Sequence, residues 1–197
     1  MKTRHMLAFG SVIPVIFWGT LTVCGYVMGD YSHITRLVSE LGEIETRSQY
    51  MFIAGLLACA VLSVLFVVGL CRACKEMGIS TVPALIILSF SVSIGGAAIF
   101  PLPLRLHLVM GMPSVLLFLS PLAALVLWRG DKPPVGLRAM ALASFLIMLL
   151  GFAAFMPDVL SAYPGLKQRL FHLGWSIWFL SLSLAFLRSL KSGKKEK

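Results

Sequence analysis

The chain has 197 residues, 58% of them hydrophobic and only 13% charged. A soluble globular domain carries roughly 25% charged residues, and a chain this apolar would show water large, aggregation-prone patches. The formal net charge of +9 would suit nucleic acid, but it is confined to one set of loops, and no nucleic-acid partner is expected.

A membrane-spanning helix needs about 20 mostly apolar residues. Six segments meet that requirement: Phe9 to Gly29, Tyr50 to Cys71, Thr81 to Phe100, Leu108 to Trp128, Ala139 to Pro157, and Leu170 to Leu190. Lys2 and Arg4 ahead of the first run look like the start of a signal peptide. That run is long enough to span, and no A-x-A cleavage site follows it. It is read as a retained first helix.

The expected architecture is all-α: one transmembrane domain over residues 1–197, a bundle of six helices in up-down hairpins. There is no internal repeat and no room for a separate soluble domain.

Orientation follows from the basic residues. One set of ends and connections holds Lys2, Arg4, Arg72, Lys75, Arg129, Lys132, Arg138, Arg188 and the lysines of the C-terminal tail. The other set holds Arg36, Arg47, Arg105, Lys167 and Arg169, balanced by Asp30, Glu40, Glu43, Glu45 and Asp158. The whole charge excess lies on the first side, which is expected to face the cytoplasm, with both chain ends there. A basic rim beside anionic headgroups accounts for the charge. The expected location is the cell membrane, with membrane lipids as partners.

The first outer connection is the longest and most polar. Ile34, Leu37, Val38 and Leu41 recur there at helical spacing, which predicts a short amphipathic helix on the outer face. Arg36 and Glu40 are four apart and can pair on its polar side. Gly42 reads as its C-terminal stop.

Cys24 and Cys59 fall in apolar runs as packing thiols, and Cys71 and Cys74 form a lone CxxC without a second ligand pair. No structural disulfide is expected. Ser89, Ser93 and Ala97 form a small-residue stripe that admits a close neighbour. Pro113 and Pro121 should kink the fourth helix.

Three of the four histidines, His33, His107 and His172, belong to the outer side. With nearby carboxylates they raise the possibility of a metal, but their spacing fits no ligand motif, so neither metal nor cofactor is expected. Arg105, Lys167 and Arg169 suit a phosphate or carboxylate, because arginine can hold such a group with two parallel bonds. Ser39 beside Glu40 could act as a nucleophile only if a histidine reached it.

The binding residues expected on these grounds are Ser39, Glu40, Gly42, Arg105, His107, Arg169 and His172. Of these, Ser39, Glu40, His107, Arg169 and His172 are expected to converge in one outer cluster.

Ser39-Glu40-Leu41-Gly42 after the first helix resembles a signature of the six-helix membrane family called domain of unknown function 998. Phe100-Pro101 followed by His107 is similar to that family's entry to the fourth helix. Gly165 with Gln168-Arg169 and Trp178 is similar to its entry to the last. The chain departs from the pattern where Leu102 and Leu104 replace an acidic residue. The resemblance implies a bacterial or archaeal membrane protein, distantly like the autophagy-modulator type of six-helix proteins, and brings no established activity.

The expected function is binding of a lipid headgroup or small amphiphile at the outer face. The alternatives are a membrane-embedded hydrolase using the His/Ser/Glu cluster, with or without metal, and a small transporter. The middles of the predicted helices lack Asp, Glu, Lys, Arg and His, which counts against ion-coupled transport.

Overall fold

The computed structural model describes residues 1–129, 133, 134, 136–152, 156 and 158–192. The expected loop basic residue Lys132, the end of the fifth segment at Pro157 and the tail lysines Lys194, Lys195 and Lys197 lie outside them.

Eight α-helices and two 3₁₀ segments are present among the described residues, and no strand. The helices are α1 (Thr3–Met28), α2 (Gln49–Met77), α3 (Val82–Ile86), α4 (Leu88–Ile99), α5 (Arg105–Gly111), α6 (Leu119–Leu127), α7 (Leu137–Gly151) and α8 (Pro164–Ser192). Five helical stretches are long and apolar enough to cross a membrane: Thr3–Met28, Gln49–Met77, Val82–Ile99, Arg105–Leu127 and Pro164–Leu190. The fifth expected segment is represented by α7, whose 15 residues are apolar but fall short of a full span. The chain is a multi-pass membrane protein.

The outer helix expected from the periodicity is tighter than an α-helix. It is a 3₁₀ turn, Val38–Gly42. Val38 and Leu41 are buried, while Ile34 and Leu37 are exposed. Gly42 ends the turn for a packing reason, since a Cβ there would overlap the Phe52 ring. The last helix starts earlier than hydropathy suggests. Pro164 suits the first turn because it lacks an N–H to satisfy, and the early start carries Lys167, Arg169 and His172 inside α8.

Lipid supplies no hydrogen-bond partners, so polar side chains within the bundle must pair with one another. Ser11 of α1 bonds Ser183 of α8 at 2.8 Å, and Ser63 of α2 bonds Ser91 of α4 at 2.6 Å. Trp18 Nε1 donates to Ser176 Oγ. Ser120 of α6 accepts from Trp178 Nε1 of α8 and donates to the Pro83 carbonyl of α3, so one hydroxyl ties three helices. Around these bonds α1, α4 and α8 pack an aromatic centre. The Trp175 ring lies 5.1 Å from Phe17, 4.6 Å from Phe90 and 5.2 Å from Phe179, and Trp175 is fully buried.

The fourth membrane segment is broken, as its prolines require. Between α5 and α6 lies a 3₁₀ stretch, Met112–Phe118, with Pro113 in its first turn. Ser93 and Ser114 both donate to the Gly111 carbonyl at 2.7 Å. Ser93, in the small-residue stripe of α4, thus supplies a donor at the break. Gly96 on the same helix lets Met110 approach.

Helices α7 and α8 approach so closely that backbone faces backbone. A Cβ on Gly151 would overlap the backbone of Phe171. A backbone neighbour cannot rotate aside, so Gly151→Ala should lower stability by about 1–3 kcal/mol, as overpacking does. Thermal unfolding in detergent measures it, and an unchanged melting temperature would contradict this packing.

Candidate functional site

The polar groups of the outer face gather where the first outer loop crosses the head of α8. Three backbone carbonyls of that loop meet the helix start. Leu166 N donates to the Ile34 carbonyl at 3.0 Å. Arg169 Nη1 reaches the Arg36 carbonyl at 3.2 Å. The His33 carbonyl lies beside Gly165, where a Cβ would also overlap the Arg36 oxygen. The N–H groups of a first helical turn have no partners within the helix, so loop carbonyls are their natural complement. Gln168 completes the seam, its Oε1 accepting from Val38 N at 2.7 Å.

Arg169 is the hub. Its Nη1 also donates to the Gly165 carbonyl at 3.0 Å, and its Nη2 donates to the Tyr31 hydroxyl at 2.8 Å and to His33 Nδ1 at 2.9 Å. The two-pronged face expected to hold a ligand is therefore filled by the protein's own groups. The Tyr31 ring lies 5.6 Å from the Arg169 guanidinium and 5.5 Å from that of Arg36, within the range of cation–π attraction. Tyr31 in turn donates its hydroxyl proton to the Leu37 carbonyl at 2.7 Å.

Arg36 and Glu40 pair as the spacing predicts, Nε to Oε2 at 2.6 Å. Glu40 Oε1 accepts from Leu37 N at 2.7 Å. Both carboxylate oxygens are thus occupied. The Glu40 bond holds the Arg36 pKa above its ordinary value. His33 moves the other way: burial first, then the Arg169 charge, lowers its pKa. Burial raises the Tyr31 pKa, opposed by the Arg169 bond.

Of the expected site residues, Glu40 and Arg169 are joined through Arg36 and Tyr31, and Gly42 lies at the end of the same turn. His107 is engaged elsewhere. Its Nδ1 donates to the Phe100 carbonyl at 2.8 Å, closing the Phe-Pro turn that leads into α5. His172 turns into the bundle, where its Nδ1 accepts from Trp175 Nε1 at 3.0 Å and its ring packs 4.7 Å from Phe17. Its buried Nε2 has no partner. Ser39 is half-buried, and no histidine bonds to it. Arg105 is exposed in the first turn of α5. Among the described residues no three His, Cys, Asp or Glu side chains lie close enough together to hold a metal ion.

Tyr31 and His33 were not expected as members of this cluster. Neither belongs to an apolar period, and only the crossing of loop and helix brings them to Arg169. Lys167 is similarly informative. It is buried, and its Nζ donates to the carbonyls of Met156 at 3.1 Å and Val159 at 2.6 Å. Among the described residues the Arg36–Glu40 contact is the one ion pair, so neither Lys167 nor Arg169 is neutralised by a carboxylate.

The profile of a family described as protein of unknown function (DUF998) matches residues 11–185. No curated protein and no solved structure matches the chain, so the distant autophagy-modulator likeness gains no support.

Because three of the four Arg169 bonds hold the loop, Arg169→Lys should release it in part. An ammonium has three donors and cannot reproduce the fork. Loss of about two bonds from a charged donor should lower stability by roughly 2–4 kcal/mol. Hydrogen exchange of the amides from Ile34 to Leu41 should rise, and unchanged protection there would show that Arg169 does not secure the loop.

Proposed function

The chain belongs to the DUF998 family, and from that premise we propose that it is a non-enzymatic membrane protein that binds an anionic lipid headgroup at its outer face. The observation that supports this reading is the unbalanced charge at the head of α8. Lys167 and Arg169 are bonded to carbonyls and neutral side chains, with no carboxylate against either. Arg105 adds an exposed cation at the head of α5. Cations near the headgroup layer are stabilised by anionic lipid at about 1 kcal/mol each.

The reading differs from a simple fork around a phosphate. Arg169 contributes its charge and holds the loop, and the headgroup meets the field of the cluster. The hydrolase alternative lacks a base on Ser39. Glu40, its neighbour, is engaged by Arg36 and Leu37 N.

We infer that the chain lies in the cell membrane with its ends in the cytoplasm. The basic residues favour this orientation. Tyr26, Tyr50 and Tyr163, all strongly exposed near the outer helix ends, suit the aromatic layer of a membrane interface.

Two measurements test the proposal. Lys167→Gln keeps an amide donor for the two carbonyls and removes the charge. Together with Arg105→Gln it should reduce co-purified phosphatidylglycerol about thirtyfold, the equivalent of about 1 kcal/mol for each of the two charges. Equal lipid retention by native mass spectrometry would overturn the headgroup reading. For topology, single cysteines at Glu43 or Pro103, in a background lacking the native cysteines, should react with an impermeant maleimide on intact cells. One at Glu76 should not, and labelling of Glu76→Cys from outside would reverse the orientation.

A further inference from the structure

The contact between Arg169 and His33 has a chemical restriction. Arginine only donates, so the 2.9 Å bond from Arg169 Nη2 needs an unprotonated Nδ1 on His33. The ring then carries its hydrogen on Nε2, close to Gly25 of α1. A proton arriving at Nδ1 removes the acceptor and sets an imidazolium against a guanidinium. Two cations facing each other with no acceptor between them are stable only if an anion bridges them or one withdraws.

The surroundings leave the charge uncompensated. From α8 the charged group facing His33 is Arg169, and α1 presents Gly25. On the loop itself the Tyr31 ring stands 5.0 Å from His33, edge to face. Arg36 and Glu40 neutralise each other, and both Glu40 oxygens are occupied. Asp30, the other acid of this loop, acts on Arg36, and among the described residues no carboxylate pairs with His33. His33 is partly desolvated against Arg169 and Tyr31 but keeps an exposed edge, so a ligand can reach it from the outer face.

We propose that His33 and Arg169 form a proton-dependent anion site: when His33 takes a proton from water at Nδ1, the pair exchanges its mutual hydrogen bond for a shared phosphodiester anion. The proposal rests on the headgroup reading above and adds a specific pair and a pH dependence to it. The Tyr31 hydroxyl, already within 2.8 Å of Arg169, lies beside the same position. The lowered pKa of His33 agrees with the neutral ring that the Arg169 bond requires. Binding of an anion raises it again, since the anion favours the charged ring. The anion is therefore held more tightly below the ordinary histidine range and less tightly above it.

Dioctanoyl phosphatidylglycerol is a suitable probe, because a phosphodiester keeps its charge across this range. Its affinity for the purified full-length protein is measured at about pH 7.5 and about pH 5.5. Wild type should bind about tenfold more tightly at the lower pH, the size of one charge-assisted hydrogen bond. His33→Gln retains an acceptor for Arg169 and cannot take a proton, so its affinity should be the same at both. His33→Lys carries its charge throughout and should bind tightly at both. A wild-type affinity that does not rise on acidification, or a rise that persists in His33→Gln, overturns the site. In the first case, binding that is present but flat leaves the headgroup reading standing, whereas no binding at either pH removes both. Glycerophosphoglycerol, the same headgroup without acyl chains, separates the sources: displacement of the lipid by it points to a soluble phosphodiester, and failure to displace points to a membrane lipid.

Discussion

The outer face depends on one clasp, the seating of the first outer loop on the start of α8. A loop at the edge of a membrane has a difficulty that a soluble loop lacks, because its carbonyls lie close to hydrocarbon and must find donors within the protein. Here the donors are the Leu166 N–H in the first turn of α8 and the guanidinium of Arg169. The approach is close because residue 165 has no side chain. From this seam the loop continues to the second outer connection, where Ile44 N donates to the Leu102 carbonyl at 2.9 Å. One segment thus links three membrane hairpins at their outer ends.

The motifs that resemble a family pattern acquire a common physical meaning in this arrangement. Glu40 accepts from the backbone at the start of the 3₁₀ turn, and Gly42 lets that turn close over Phe52. His107 closes the turn before α5. Gly165, Gln168 and Arg169 receive the loop, and Trp178 ties α8 to Ser120. Each is explained by hydrogen-bond satisfaction or close approach. Their grouping alone is therefore no evidence of catalysis. The feature left over is electrostatic: carbonyls satisfy the donors of Lys167 and Arg169 but do not cancel their charge. That residue of positive charge at headgroup depth is what directs attention to an anionic lipid.

The interior follows the same economy of donors. Serine and tryptophan side chains supply cross-helix bonds where a soluble core would use more apolar contact. The broken fourth segment is stabilised in this way, with two serine hydroxyls on the carbonyl next to the break. Among the described residues, Ser89, Ser144 and His172 each retain a buried polar atom without a partner, so the satisfaction there is not complete.

What the sequence by itself determined is the part governed by local composition. Apolar length and the absence of mid-segment charge specify spanning helices, because a bilayer rejects an uncovered backbone and an isolated charge. The Arg36–Glu40 pair is also local, since four residues on one turn suffice to bring the two together. Tertiary structure decided the rest. Periodicity suggested an α-helix in the first outer loop, but in the fold Val38 and Leu41 are buried in a tighter 3₁₀ turn whose Gly42 fits closely over Phe52. Hydropathy suggested that the last helix begins at Leu170. The docked loop instead satisfies the polar first turn, so the helix begins at Pro164. The side chains that Arg169 bonds, Tyr31 and His33, lie more than a hundred positions away in the chain. No periodicity encodes such a contact; it exists because the loop crosses one particular helix end.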